Sequence, residues 1–129
     1  GTTALYLQKN LTIEVYTCSC VGDDEYLKKQ FLDLEEKNHP KILKKEKKYH
    51  FGKLYIEFYL KHIELLKQTN IEFELLYDSL GWIVFEEFVK NLENKDDYIF
   101  LYIHQGGVLG NKTMIERYKF KFPNSLESI

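Results

Sequence analysis

The chain has 129 residues, 44% of them hydrophobic and 16% aromatic, a composition that packs a core and excludes a disordered segment. That length is one domain's worth, enough to bury about two-thirds of its unfolded surface. A net charge of −2 and one arginine, Arg117, disfavour a nucleic-acid or anionic membrane partner, and no run reaches the roughly 20 apolar residues that span a bilayer.

Gly1-Thr2-Thr3 leads into a short helix-like stretch over residues 4–9. Residues 11–20 are β-branched and partly alternating, the pattern of a strand. That strand carries Cys18 and Cys20, too close to be easily bridged within one strand. Without two further ligands or Cys-x-x-Cys spacing they read as small side chains on a strand, in a chain suited to the cytoplasm. Gly22-Asp23-Asp24 caps a helix over residues 24–37, with Tyr26, Leu27, Phe31 and Leu34 on one face. His39-Pro40 stops it.

Residues 41–48 are rich in lysine; as a solvated connection or edge strand they need no ligand, and the competing reading is a phosphate-binding patch. Residues 53–68 have a strong helical pattern of Leu54, Ile56, Phe58, Leu60, Ile63 and Leu66, ended by Asn70. A short apolar run over 73–77 enters Asp78-Ser79 and a helix over 80–92. Asn94 to Asp97 form the turn before the main strand, 98–104, and a final helix covers 111–119. The tail is irregular from about residue 120. His39, His50 and His62 have no ligand spacing, so no metal site is expected. Alternating strands and helices define an α/β class: a three-layer, open, mostly parallel sheet flanked by helices.

Three segments carry candidate chemistry. The strand over 98–104 ends in His104-Gln105-Gly106-Gly107, and open α/β sheets bind ligands beyond the carboxyl ends of their strands. The glycines give backbone freedom where the strand stops. Gly1-Thr2-Thr3 at a helix start offers N–H groups and hydroxyls to an anion. Tyr77-Asp78-Ser79 stands at a strand-to-helix junction, where Asp78 or Ser79 reads as an N-cap and Tyr77 as a core residue with its hydroxyl at the surface. The only methionine is Met114, so a chain opening on Gly-Thr-Thr is expected to be cut from a longer one.

In their order and spacing, Gly1-Thr2-Thr3, Phe73-Glu74-Leu75-Leu76-Tyr77-Asp78 and residues 99–107 resemble the fold-type-II pyridoxal-phosphate enzymes. The branch they are most similar to is the 1-aminocyclopropane-1-carboxylate deaminase and D-cysteine desulfhydrase family. The resemblance spans residues 1 to about 110 and covers the carboxyl-terminal part of such an enzyme. It implies that Gly1, Thr2 and Thr3 hold the phosphate of pyridoxal 5'-phosphate. Asp78 faces the ring nitrogen, Gln105 the ring edge, and Tyr77 the substrate. Thr2 replaces a common glycine, Gln105 replaces a threonine, and Ser79-Leu80 replaces Gly-Lys, which loosens the substrate assignment. His104 is expected to satisfy backbone groups at a strand end.

The implied reaction converts a small amino acid to a keto acid and ammonia. The intact enzyme is implied to be a cytoplasmic homodimer or self-associating species without membrane or nucleic-acid partners. The lysine that carries the cofactor lies upstream, so this single domain is expected to be inactive alone. Two rivals remain: a D-cysteine desulfhydrase-like lyase, and a non-catalytic phosphate- or nucleotide-binding α/β module.

Overall fold

A computed structural model of the chain describes residues 2–20, 23–34 and 38–126. By their contacts the residues divide into two compact units. The first comprises the chain up to Phe51 together with Val84–Asn91, and the second comprises Gly52–Ile83 and the chain from Leu92 onward.

The first unit begins with helix α1 (Thr2–Asn10), strand β1 (Tyr16–Thr17), helix α2 (Asp24–Leu34) and strand β2 (Lys41–Ile42). β1 and β2 pair in parallel, with Tyr16 opposite Lys41 and Thr17 opposite Ile42; parallel neighbours require such a crossover. α2 starts where expected because the Asp23 carboxylate accepts the Tyr26 N–H at 2.8 Å, satisfying an otherwise orphaned donor. Leu5, Leu27 and Phe31 form the core, with Ile42 packed against it. The buried Gln8 side chain ties the connection after α1: its amide donates to the Ile13 carbonyl at 3.0 Å and accepts from the Val15 N–H at 2.7 Å.

In the second unit, α3 (Ile56–Thr69) buries Phe58, Tyr59, His62 and Leu65, a stripe at helical spacing. Asn70 closes it in the left-handed region, at φ 58°, and donates its N–H to the Leu66 carbonyl. Helix α4 (Asp78–Lys90) begins in this unit. Helix α5 (Asn111–Lys121) buries Asn111 and Tyr118, and the short α6 (Pro123–Leu126) follows. Tyr118 packs on Tyr59 with ring centroids 5.4 Å apart, and burial pushes its phenol up to about 12.

Four expectations change. The strand predicted over 11–20 contracts to Tyr16–Thr17, the two residues in register with β2, with the Val15 carbonyl also accepting the Lys41 N–H. Residues 98–104 join no sheet among the described residues; Tyr98 is extended, and Ile99, Leu101 and Ile103 are 101%, 78% and 48% exposed. Residues 73–77 pair with no strand among the described residues, and 75–77 form a turn. The helices lie close to their expected positions, while the tail is helical over Pro123–Leu126. Gly22 and the end of the second predicted helix at 35–37 lie outside the described residues. No described helix is long and apolar enough to cross a membrane.

Phe31→Ala removes the largest side chain of the first unit's core and should cost about 3–5 kcal/mol. Leu32→Ala, at a position 58% exposed, should stay within about 0.5 kcal/mol. Denaturant unfolding followed by far-ultraviolet circular dichroism compares the two.

Candidate functional site

Within the second unit, the chain brings the Tyr77-Asp78 segment against the His104-Gln105-Gly106-Gly107 turn. The join starts at residues 72–75. His104 Nε2 lies 2.9 Å from the Glu72 carbonyl and its Nδ1 accepts the Gly106 N–H at 3.2 Å. A carbonyl can only accept and an amide N–H can only donate, so the pattern assigns the neutral Nε2–H tautomer. His104 therefore satisfies backbone groups, as expected, although from a partly exposed position. Gly106 and Gly107 both adopt left-handed conformations, φ 74° and 75°. Two such residues in succession are affordable only to glycine.

Asn111, at the start of α5, completes the join from the other side. It is 1% exposed. Its Oδ1 accepts the Leu75 N–H at 2.9 Å, and its Nδ2 donates to the Phe73 carbonyl at 3.0 Å and to Glu72 Oε1 at 2.9 Å. Phe73 is the apolar centre, its ring 5.0 Å from His104, 5.5 Å from Trp82 and 5.7 Å from Tyr102.

The N-terminus of α4 settles what Asp78 does locally. The Glu74 carboxylate accepts the N–H groups of Leu76, of Tyr77 at 2.6 Å and of Asp78 at 3.3 Å. Glu74 is thus the cap that the sequence reading gave to Asp78 or Ser79, and it suits the positive end of the helix dipole. The Asp78 carboxylate is released from that duty. It is only 7% exposed. Its Oδ1 lies 3.3 Å from the Tyr102 hydroxyl. Its Oδ2 is buried with no hydrogen-bond partner among the described residues, and His104 Nε2 stands 3.9 Å away. Burial pushes the carboxyl above the ordinary aspartate value, opposed by His104, the Tyr102 hydroxyl and backbone groups at Glu74 and Gln105.

The remaining candidates are distributed as follows. Tyr77 is 42% exposed and adjoins Asp78 in sequence, with its carbonyl accepting the Gly81 N–H at 2.9 Å. The side chain of Gln105 is exposed beside the glycine turn. Thr2 and Thr3 occupy the first turn of α1 in the first unit, exposed and with no acidic residue beside them. Gly1 lies outside the described residues. Cys18 and Cys20 follow β1 as thiols; a shared hydrogen bond with Cys20, and then burial, push the Cys18 thiol up. No group of three or more metal-ligating side chains occurs among the described residues.

Sequence reading missed Glu74, Tyr102 and Asn111. Glu74 stands four residues before Asp78, a cap signal in hindsight. Tyr102 was hidden inside an apolar run and Asn111 marked only a helix start. No protein-family model matches the chain, and no curated protein matches it.

Two measurements check this geometry. Glu74→Ala removes the α4 cap and should destabilise the chain by about 0.5–2 kcal/mol, seen as a lower unfolding midpoint. Asp78→Asn should leave the chain at least as stable as wild type at neutral pH, because a buried charge becomes neutral. A folded-state value raised above the unfolded one means that the folded chain holds the proton more tightly. Wild type therefore loses stability relative to the variant as pH rises from the ordinary aspartate value to the raised one, and regains it as pH falls back. Thermal melts of both proteins across that window read the difference directly.

Proposed function

We propose that this chain is the carboxyl-terminal part of a cytoplasmic, self-associating fold-type-II pyridoxal-phosphate enzyme resembling 1-aminocyclopropane-1-carboxylate deaminase. In this reading the chain contributes to a three-layer, mostly parallel sheet flanked by helices. The intact enzyme converts a small amino acid to a keto acid and ammonia. One observation carries the reading. The Asp78 carboxylate, relieved of helix capping by Glu74, keeps a buried oxygen without a partner, beside the His104-Gln105-Gly106-Gly107 turn.

The acceptor chemistry of that oxygen supports the reading. A protonated pyridine nitrogen is a cationic N–H donor, and a buried carboxylate oxygen is the acceptor that gains most from one. Bound there, the cofactor supplies an electron sink for negative charge developing on the substrate. Asp78 Oδ2 holds the proton on the ring nitrogen. Tyr77, next in sequence and partly exposed, orients the substrate and exchanges protons through its phenol. Gln105 presents its amide to the ring edge. The resemblance gives the phosphate to Gly1, Thr2 and Thr3, a glycine and two hydroxyl residues of the kind that suit an anion.

The decisive experiment is Asp78→Asn in the intact enzyme. The phosphate grip remains, so cofactor content of the purified variant should equal that of wild type. The amide cannot partner a protonated ring nitrogen as an anion, so kcat and kcat/KM should fall together by about 10- to 100-fold, the worth of one hydrogen bond to a charged group. Full turnover in a variant that retains its cofactor would overturn the assignment. Ammonia and hydrogen sulfide assays on the same preparations separate a deaminase from a D-cysteine desulfhydrase-like lyase.

A further inference from the structure

Gly81 has no evident backbone reason to be glycine. It lies inside α4, its φ is not in the left-handed region, and a glycine within a helix is less favourable than alanine. Its neighbour across space supplies the reason. A Cβ at position 81 would stand 2.8 Å from the Tyr102 hydroxyl oxygen, yet 3.9 Å, an ordinary contact, from the ring carbon that bears it. The missing side chain therefore makes room for one atom.

That atom reaches Asp78. The Tyr102 hydroxyl lies 3.3 Å from Asp78 Oδ1 and 3.3 Å from the Asp78 carbonyl oxygen. The ring is held by neighbours, with Trp82 at 4.9 Å and Phe73 at 5.7 Å, so the hydroxyl cannot swing aside without disturbing them. The hydroxyl has one proton for these two acceptors; when Oδ1 takes it, rotation of the carboxylate is restrained and Oδ2 is the oxygen left over.

We propose that Gly81 and Tyr102 form a positioning pair for the candidate site: the bare Gly81 backbone admits the Tyr102 hydroxyl beside Asp78 Oδ1, and this fixes how the Asp78 carboxylate turns, with Oδ2 on the His104 side. The ligand's identity rests on the functional reading above; the positioning pair does not. Neither residue touches the ligand in this arrangement, and both act through Asp78. The other charged or titratable groups facing Asp78 are His104, at 3.9 Å, and Glu74, which accepts the Asp78 N–H.

The test uses the chain without cofactor and four proteins: wild type, Tyr102→Phe, Gly81→Ala and the double variant. The first readout is the titration of Asp78, followed by carbon-13 nuclear magnetic resonance of labelled aspartate side chains and assigned by its loss in Asp78→Asn. A donor to the ionised carboxylate lowers its pKa, so Tyr102→Phe should raise the midpoint by roughly half to one pH unit. Gly81→Ala, which pushes the same hydroxyl away, should raise it too, and the double variant should match Tyr102→Phe alone.

The second readout is thermal stability. Alanine at 81 collides with the hydroxyl in wild type and should lower the Tm. In the Tyr102→Phe background the obstructing oxygen is gone, and the better helix former should raise the Tm. That reversal of sign remains measurable through Tyr102→Phe and the double variant even where Gly81→Ala alone fails to fold. An unchanged Asp78 midpoint in Tyr102→Phe, or a Gly81→Ala effect of equal sign in both backgrounds, would overturn the positioning pair. Full turnover of Asp78→Asn in the intact enzyme would instead overturn the cofactor assignment and leave these measurements standing.

Discussion

The site depends on how residues 72–75 satisfy their backbone. They lie in neither helix nor sheet, and Phe73 and Leu75 are buried, so polar groups there must find partners. Side chains from distant parts of the second unit supply them. His62 on α3 lies with Nδ1 2.8 Å from the Phe73 carbonyl, which also receives Asn111 Nδ2. Asn111 takes the Leu75 N–H and His104 reaches the Glu72 carbonyl. Losing one such bond exposes the desolvation cost of the group left behind, about 1–3 kcal/mol. The same bonds bring α3, the glycine turn and the start of α5 to one stretch of chain, and that stretch hands Glu74 to the N-terminus of α4.

Around this frame, two residues oppose local preference. A glycine inside α4 weakens the helix, and a buried aspartate with an unengaged oxygen weakens the fold at neutral pH. Both stand within one turn of each other and both converge on the Tyr102 hydroxyl. Local conflicts gathered at one place are what a functional site leaves in an otherwise consistent sequence. Glu74 shows the complement: with the cap supplied from four residues upstream, the acid at position 78 is free for other use.

The helices were legible because their information is local. The apolar spacing of α3, the Asn70 stop and the Asp23 cap each act within a turn or two of themselves. Strands are different, since an apolar run reads alike whether or not another strand lies beside it. Residues 98–104 have strand composition but no ladder among the described residues, and residues 11–20 pair over only Tyr16–Thr17. At the candidate site, Asp78 and the double glycine stood out by type and order. The bonds that organise them did not, because Asn111 lies 36 residues from Leu75, and Tyr102 lies 24 from Asp78. Sequence separation on that scale leaves no periodic trace.

The bare row of Ile99, Leu101 and Ile103 has a bearing on how the polypeptide behaves in the company of other copies. The six residues Tyr98-Ile99-Phe100-Leu101-Tyr102-Ile103 contain no charge, proline or glycine, and an alternating aliphatic face with open backbone is a template for cross-β stacking. A net charge of −2 offers little colloidal repulsion to keep copies apart. The guards are at the borders, in Asp96 and Asp97 on one side and the glycine turn on the other. An exposed strip of this composition is an aggregation hazard, and the charges and glycines at its borders are what limit it.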